Sequence, residues 1–331
     1  MIWLLNPVIS VDAKLEALFK ELQLHFGETP RRNELLSGHT TSRLGGPADI
    51  WLPVTTLDQL VQAVDLARQH QVPVFMLGSG ANLLIQDGGI RGLVVENRTK
   101  RIWVKPNNRD DQLKTLVAES GVILPNLARR CAQMGLSGFE WAVGVPGTVG
   151  GAVTNNAGAY GSNTAAILVQ AELLSAEGER GWKPVDWFQY DYRTSRLKAS
   201  PALAGRKTAS TWIVLQAEFR LAAAPSEEVW NRMNLLNDQR KRSQPPGATM
   251  GSMFKNPPGD YAGRLIEAAG LKGYQIGRAQ ISELHGNFFQ NLGGATAADM
   301  VALIKVAQET VEAKFGVKLE LEVEVIGESE A

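Results

Sequence analysis

Apolar positions near the start of the chain follow the period of an α-helix. Between residues 12 and 26 they recur on one face, and Gly27 gives a natural end because glycine tolerates the left-handed backbone that closes helices. The positions predicted to pack inward are Leu15, Leu18, Phe19, Leu22 and Phe26. The pattern predicts an amphipathic helix that packs on the rest of the fold.

Two further helices are indicated by their first residues. Thr56 and Gln59 have the spacing of a capping box, in which each side chain accepts a hydrogen bond from the other residue's backbone N–H. Thr296 and Asp299 have the same spacing, and the apolar pattern after them ends at Gly316. Each pair therefore predicts the start of a helix.

A fourth helix is predicted to begin with Ser226 as its cap. Acidic residues follow in the first turn, and Arg240-Lys241-Arg242 lies at its end, as the helix dipole favours. The basic triplet has two interpretations, a favourable helix terminus or a phosphate site. The composition also changes around Ala222 to Pro225, which indicates a domain boundary.

Short apolar runs predict strands between these helices, at residues 72–77, 93–95, 168–174 and 212–221. A last strand is predicted at the end of the chain because apolar and acidic residues alternate there. Its apolar side holds Leu319, Leu321, Val323 and Val325, and its other side holds Glu320, Glu322 and Glu324. By itself this pattern predicts an antiparallel edge strand whose glutamates face water.

Composition excludes several classes of protein. The chain has 331 residues with 34 basic and 34 acidic side chains, a formal net charge of zero that argues against a general nucleic-acid or membrane-surface binder. It contains no H-E-x-x-H or C-x-x-C motif and four histidines, so no metal site is expected. Its length predicts about two domains.

The chain also has features that are typical of proteins in a reducing compartment. Its single cysteine, Cys131, falls in a predicted helix at residues 125–134 and is expected to be a small core residue. Residues Met1 to Leu5 are apolar but follow no basic region, so they are not expected to be a signal peptide. No apolar run has the length of a membrane span. We expect a cytoplasmic protein without an obligate protein partner.

Two glycine-rich segments predict binding of a large ligand. The first, residues 78–83, follows a predicted strand but lacks the third glycine and the helix of a dinucleotide-binding fingerprint, so we reject a Rossmann domain. Its backbone N–H groups remain suited to a phosphate. The second, residues 144–161, contains no charged residue, which is unusual for a solvated linker, and its side chains are too small for an ordinary helix or strand core.

A third segment combines several chemical groups in one run, Gly251-Ser252-Met253-Phe254-Lys255-Asn256-Pro257. Gly251 permits close approach of a ligand, and Pro257 ends regular structure. Ser252 is a candidate proton donor, and Lys255 and Asn256 are candidates for binding a polar or anionic substrate. A plain polar turn is the competing interpretation.

Taken together, the motifs resemble the UDP-N-acetylenolpyruvoylglucosamine reductase family, in its shorter second type. The resemblance runs from about residue 39 to residue 327. Six segments occur in the family's order: 40–49, 78–84, 144–161, Tyr192-Arg193-x-Ser195, 251–257 and 319–323. Each is moderately specific, and their order makes the combination specific. Ala81 and Asn155 depart from the residues usual at those positions.

The resemblance implies an α+β fold and a flavoenzyme of cell-wall precursor synthesis. Residues 1–38 would be an N-terminal helix and linker, residues 39–222 a FAD-binding domain of the vanillyl-alcohol-oxidase type with two subdomains, and residues 223–331 a substrate-binding domain. NADPH would reduce FAD, and the enolpyruvyl group of a UDP-sugar would then be reduced to give UDP-N-acetylmuramate.

The resemblance also implies a set of site residues. The expected catalytic residues are Ser252, Arg193 and Glu322. The expected FAD contacts are Gly78, Ser79, Gly80, Ala81, Asn82, Leu83, Gly144, Val145, Pro146, Gly147, Thr148, Gly150, Gly151, Asn156, Gly158 and Ala159. The expected contacts to the UDP-sugar are Tyr160, Asn256, Lys272 and His285.

Three alternatives remain open at the level of sequence. A flavin-binding electron-transfer subunit of a molybdenum hydroxylase would share the fold class, would need partner chains and would not need Ser252 and Glu322. A vanillyl-alcohol-type oxidase would use oxygen. A non-redox nucleotide-sugar binding module would require no flavin. NADPH consumption with and without the enolpyruvyl substrate separates them.

Overall fold

The computed structural model describes residues 10–106, 112–198 and 212–330. The apolar start of the chain, Met1 to Leu5, lies outside these ranges. The α-helices are α1 Val11–Phe26, α2 Leu57–Gln69, α3 Leu124–Gln133, α4 Val149–Asn155, α5 Ser226–Ser243, α6 Ala262–Ala268 and α7 Ala297–Phe315. The strands are β1 Arg31–Leu35, β2 Pro47–Val54, β3 Val74–Leu77, β4 Leu83–Ile85, β5 Ile90–Asn97, β6 Ile102–Val104, β7 Leu113–Glu119, β8 Leu136–Ser137, β9 Gly158–Ala159, β10 Ser162–Asn163, β11 Leu168–Ser175, β12 Arg180–Pro184, β13 Trp212–Ala223, β14 Ala248–Ser252, β15 Gln275–Ile276, β16 Ala279–Ile281, β17 Phe288–Asn291 and β18 Glu324–Ile326.

The first lobe, residues 10–97, is a four-stranded sheet in the order β1-β2-β5-β3 with α1 and α2 on one face. The predicted helices are confirmed: Leu15, Leu18 and Leu22 of α1 are buried in the core shared with α2. Thr56 caps α2 by accepting a hydrogen bond from Gln59 N, although the Gln59 side chain accepts from Thr55 N and not from Thr56 N.

The second lobe, residues 102–243, is an antiparallel sheet in the order β12-β11-β13-β7-β6, with β8 paired to β13. Helices α3, α4 and α5 contribute to its core. Cys131 of α3 lies in this core, where burial raises the pKa of its thiol to about 12, so the expected structural role is confirmed.

Helix α5 differs from the sequence prediction at its start. The structure places Pro225 at the N-cap, and the hydroxyl of Ser226 instead donates to the backbone carbonyl of Ala132 in α3. The expected serine cap is wrong because a tertiary partner takes the hydroxyl. The helix packs through Val229 and Met233 on the second lobe's core, and the domain boundary at residue 222 stays a prediction.

The third lobe, residues 248–316, is an antiparallel sheet in the order β14-β17-β16-β15 with α6 and α7 packed on it. The capping box of α7 is confirmed: Thr296 Oγ1 accepts from Asp299 N at 3.0 Å, and Asp299 accepts from Thr296 N at 3.1 Å. Gly316 closes the helix in the left-handed conformation, with φ of 69°.

The end of the chain crosses between lobes. Residues 319–326, called the terminal segment below, form a regular strand over Glu324–Ile326, and this strand pairs in parallel with Leu83–Ile85. The predicted antiparallel edge strand is wrong, although Leu319 and Val323 do pack into the third lobe's core as the alternation required. The partner strand, far away in sequence, could not be read from the pattern.

The second glycine segment also contains a helix. Val149–Asn155 forms α4, with Thr148 as its N-cap and Asn156 ending it in the left-handed conformation. The expectation that this segment cannot form a helix is wrong because Val149 and Val153 supply the buried face that the glycines lack. In the part of the chain that the structure describes, no helix is both long and apolar enough to span a bilayer.

Candidate active site

The three lobes meet around one cleft of about 510 Å³. Both glycine segments, the end of β14, the loop at residues 190–198 and the terminal segment contribute to it. The predicted residues that line it are Gly78, Ser79, Gly80, Ala81, Asn82, Leu83, Val145, Pro146, Gly147, Thr148, Gly150, Gly151, Gly158, Ala159, Tyr160, Arg193, Ser252 and Glu322.

The first glycine turn, residues 78–83, leaves β3 and runs directly into β4, so the absence of a following helix is confirmed. Gly80 has φ of 60°, and a Cβ at this position would lie 2.6 Å from the carbonyl oxygen of His39. A Cβ at Gly78 would lie 2.7 Å from Thr148 Oγ1. Side chains at these two positions would therefore push the first turn away from its neighbours and from the cap of α4.

Arg193 reaches the cleft from a loop anchored on α4. This arginine loop, residues 190–198, is tied down because Tyr190 donates to Val153 O at 2.7 Å and Ser195 donates to Thr154 O at 2.5 Å. Arg193 has φ of 55°, an uncommon conformation for a residue with a side chain, and its Nη2 donates to Gly158 O at 2.8 Å. The loop geometry directs the guanidinium at the second glycine segment.

Glu322 faces Arg193 from the terminal segment. The distance between Arg193 Nε and Glu322 Oε1 is 2.6 Å. The backbone of Glu322 is fixed on both sides, since its N–H donates to Met253 O at 2.9 Å and its carbonyl accepts from Asn82 Nδ2 at 3.2 Å. The terminal segment therefore joins the first glycine turn to the serine strand, and the prediction of a solvated glutamate face fails at this residue.

Burial raises the pKa of the Glu322 carboxyl above its ordinary value. The positive charges of Arg193, Lys198 and Lys255 oppose the shift, but the effect of burial is larger. The carboxyl can thus hold a proton at a higher pH than an exposed glutamate, in a site that also holds a permanent cation.

Ser252 is the last residue of β14 and lines the cleft. Gly251 precedes it with φ of 79°, and the ladder to β17 is irregular between Thr249 and Ser252, which turns the serine out of the regular sheet. Among the described residues, none makes a hydrogen bond with the Ser252 hydroxyl. Its proton is available to a bound molecule.

Five predicted site residues do not line the cleft. Gly144 lies behind it, where a Cβ would be 2.4 Å from Arg240 Cδ. Asn156 is buried and bonds Asp191 O and Ala165 N, which holds the loop rather than facing the cleft. The side chains of the remaining three bind neighbours in the third lobe.

Of these three, Asn256 Oδ1 accepts from Ala262 N at the start of α6. Lys272 Nζ lies 3.1 Å from Glu267 Oε1. His285 Nδ1 accepts from Asn287 N, and burial lowers the pKa of its imidazole. Their proposed contact with the UDP-sugar therefore requires that the substrate extends beyond the cleft.

Several residues of the cleft were missed by sequence reasoning. Arg240 lines it, and burial lowers the pKa of its guanidinium while the hydrogen-bonded Tyr160 opposes that shift. The basic triplet at the end of α5 was a signal for this residue. Lys198, Glu324 and Asn155 also line the cleft. Glu324 lies in the alternating run and Asn155 in the second glycine segment, but neither was assigned to the site, and no local motif distinguishes Lys198.

Comparisons with known proteins cover both parts of the chain. Residues 48–181 match the profile of a FAD binding domain, and residues 242–326 match that of the UDP-N-acetylenolpyruvoylglucosamine reductase C-terminal domain. The UDP-N-acetylenolpyruvoylglucosamine reductase of Chloroflexus aggregans is 44% identical over 298 residues, which cover 90% of this chain and 98% of that protein. The corresponding reductase of Rubrobacter xylanophilus is 42% identical over 96% of this chain and 99% of its own length.

The fold agrees with these matches. The crystal structure of UDP-N-acetylenolpyruvylglucosamine reductase from Thermus caldophilus superposes with a TM-score of 0.72 at 34% identity, over 89% of this chain and 99% of that one. The predicted α+β class, with a FAD-binding domain followed by a C-terminal domain, is confirmed. Since relatives at these identities span nearly their whole length, this chain belongs to the UDP-N-acetylenolpyruvoylglucosamine reductase family.

Proposed function

We propose that this chain reduces the enolpyruvyl group of UDP-N-acetylenolpyruvoylglucosamine to give UDP-N-acetylmuramate, with Arg193, Glu322 and Ser252 as the residues that act on the substrate. The observation that carries the assignment of roles is their convergence. A cation, a carboxyl that is only 16% exposed and an unbonded hydroxyl, from three segments distant in sequence, line one cleft beside two glycine segments.

The residues of the cleft fit a bound FAD. Ser79 Oγ and Asn155 Oδ1 are buried and have no hydrogen-bond partner among the described residues. A buried polar atom without a partner is unfavourable, so each favours a ligand that supplies the missing bond. The first glycine turn, with its backbone N–H groups, would hold phosphate, and the uncharged second segment would lie against the ring system.

The reaction poses an electrostatic problem for these side chains. A bound FAD that NADPH has reduced would supply the hydride. Hydride addition to the enolpyruvyl double bond places negative charge on the carbon next to a carboxylate. Arg193 can bind that carboxylate through two N–H groups and stays charged at any working pH. Its contact with Gly158 O holds the guanidinium in place, so little reorganisation is needed as charge develops.

Glu322 assists only in one protonation state. An ionised carboxylate would oppose the developing negative charge, whereas a protonated one can donate a hydrogen bond to it. Burial favours the protonated form, and arrival of an anionic substrate beside Glu322 favours it further. Glu322 also holds Arg193 in place, since its Oε1 lies 2.6 Å from Arg193 Nε.

Ser252 is suited to deliver the proton. A hydroxyl is a weak acid toward water, but a carbanion is a strong base, and serine is fully protonated at neutral pH. Gly251 and the irregular end of β14 direct the hydroxyl into the cleft. A general acid in this position contributes about 10²–10⁴-fold to rate.

The test is consumption of NADPH by the FAD-loaded protein under anaerobic conditions, with and without the enolpyruvyl UDP-sugar. We expect continuous turnover with the sugar and a single flavin reduction without it. NADPH consumption that requires oxygen and does not require the sugar would indicate an oxidase. Turnover that needs a protein electron acceptor would indicate an electron-transfer subunit, and either result would overturn the proposal.

A further inference from the structure

The arginine loop and the terminal segment are joined by two ion pairs, not one. Arg193 Nε lies 2.6 Å from Glu322 Oε1, and Lys198 Nζ lies 3.4 Å from Glu324 Oε1. Glu322 and Glu324 are two positions apart in the terminal segment, on either side of Val323. All four residues line the cleft. We call this arrangement the ion-pair ladder.

The ladder supplies polar contacts between the arginine loop and the terminal segment. Within residues 10–106, 112–198 and 212–330, no other hydrogen bond or ion pair joins the arginine loop to the terminal segment. The loop is bound to α4 through Tyr190 and Ser195, and the terminal segment is bound to the first glycine turn through Asn82. The ladder is therefore the direct polar link, among the described residues, between the loop that carries Arg193 and the segment that carries Glu322.

The pair between Lys198 and Glu324 lies beside the pair between Arg193 and Glu322 along the terminal segment. Regular strand pairing of the terminal segment begins at Glu324, where its N–H donates to Asn82 O at 3.0 Å. Lys198 pairs with the side chain of this first paired residue, two positions after Glu322, and so holds the terminal segment beside the arginine loop. The Lys198 side chain is 20% exposed and that of Glu324 is 38% exposed, so the cation is the more enclosed partner.

We propose that Lys198 is a positioning residue of the reduction: its pair with Glu324 holds the terminal segment against the arginine loop and sets the contact between Arg193 and Glu322. The inference rests on the proposed function. Lys198 acts through Glu324 and Glu322, and the ladder fails as a unit when either end of the second pair is removed.

The first experiment is a charge swap read out by the two half-reactions. Lys198→Met, Lys198→Glu and Glu324→Lys should each bind FAD and be reduced by NADPH at the wild-type rate. Reoxidation by the enolpyruvyl sugar should slow by roughly tenfold or more, because small misplacements beside reacting atoms cost up to about 10²-fold. The double variant Lys198→Glu with Glu324→Lys restores the pair and should recover most of the loss, and Lys198→Arg should retain most activity.

The second readout is the pH profile of reoxidation, which a merely structural role would not move. The charged groups that act on Glu322 are Arg193, Lys198 and Lys255, and each opposes the effect of burial. Removing the charge of Lys198 raises the pKa of Glu322 further. If the protonated carboxyl is the active form, the loss of activity on raising the pH moves to higher pH in Lys198→Met and stays in place in Lys198→Arg.

Glu320→Gln is the matched control. Glu320 lies in the same terminal segment, but its side chain is 76% exposed, pairs with Lys255 at 3.4 Å and does not line the cleft. Its loss should leave reoxidation unchanged.

Two results overturn the inference alone: Lys198→Met that reoxidises at the wild-type rate, or a double variant no better than its single parents. A wild-type protein that is not reoxidised by the sugar overturns the proposed function and this inference with it.

Discussion

At the scale of single residues, the site separates a permanent charge from a titratable one. Arg193 keeps its charge whatever surrounds it, whereas the Glu322 carboxyl responds to burial, which raises its pKa. Ser252 adds a proton donor that needs no titration in the neutral range. In the proposed mechanism, this division lets one cleft bind a carboxylate, tolerate added negative charge and protonate carbon.

Ser252→Ala should separate the two half-reactions. Reduction of bound FAD by NADPH delivers no proton to substrate carbon, so it should proceed near the wild-type rate. Reoxidation by the enolpyruvyl sugar should slow by roughly 10²–10⁴-fold, the range for a lost general acid. Stopped-flow absorbance of the flavin measures both rates.

Ser252→Cys is the control for this variant. A thiol can still donate a proton, so reoxidation should be faster than with alanine. Slow reduction combined with normal reoxidation in Ser252→Ala would contradict the assigned role.

At the scale of elements, the third lobe's long helix begins against a carboxylate from the first lobe. Asp87 accepts hydrogen bonds from Ala297 N and Ala298 N, each at 2.8 Å, at the positive end of α7. These N–H groups have no partner within the helix. Asp87 therefore supplements the capping box of Thr296 and Asp299 and joins two lobes that both border the cleft.

Asp87→Ala should lower the free energy of unfolding by about 1–2 kcal/mol, as for the loss of a helix cap. Chemical denaturation followed by circular dichroism measures the change. Asp87→Asn should lose less, since an amide oxygen still accepts one hydrogen bond. The matched control is Glu309→Gln, which removes an exposed ion pair with Lys305 on the same helix and should change stability by less than about 0.5 kcal/mol. An Asp87→Ala variant as stable as wild type would show that water replaces the carboxylate at no cost.

At the scale of the whole molecule, the cleft does not contain all of the residues that are predicted to contact the substrate. Lys272, His285 and Asn256 belong to the third lobe and do not line the cleft. The reacting group and the UDP portion of the sugar are at opposite ends of an extended ligand, so the proposal that these residues bind UDP requires the substrate to run from the cleft onto that lobe.

Lys272→Ala should raise KM for the UDP-sugar by roughly 5–150-fold, the equivalent of about 1–3 kcal/mol for a charged hydrogen bond. KM for NADPH should change less. Lys318→Ala, which removes an exposed lysine paired with Glu312, is the control and should change neither constant. Unchanged affinity of Lys272→Ala for the UDP-sugar would remove Lys272 from the site.

The amino-acid sequence by itself determined most of the local structure. The apolar period placed α1, the threonine caps placed α2 and α7, and Gly316 ended the last helix, because these signals act between residues a few positions apart. Ordered motifs likewise indicated the family and the segments that carry Arg193, Ser252 and Glu322.

Only the tertiary structure decided what depends on distant partners. The terminal segment pairs in parallel with β4, Ser226 donates to α3 instead of capping α5, and Lys198 meets Glu324 across more than a hundred residues of sequence. The burial that raises the pKa of Glu322 arises where three lobes meet, so the alternating pattern alone predicted a solvated glutamate. Local propensity fixes where a helix or strand begins, but burial and pairing between segments are set by the packing of the whole chain.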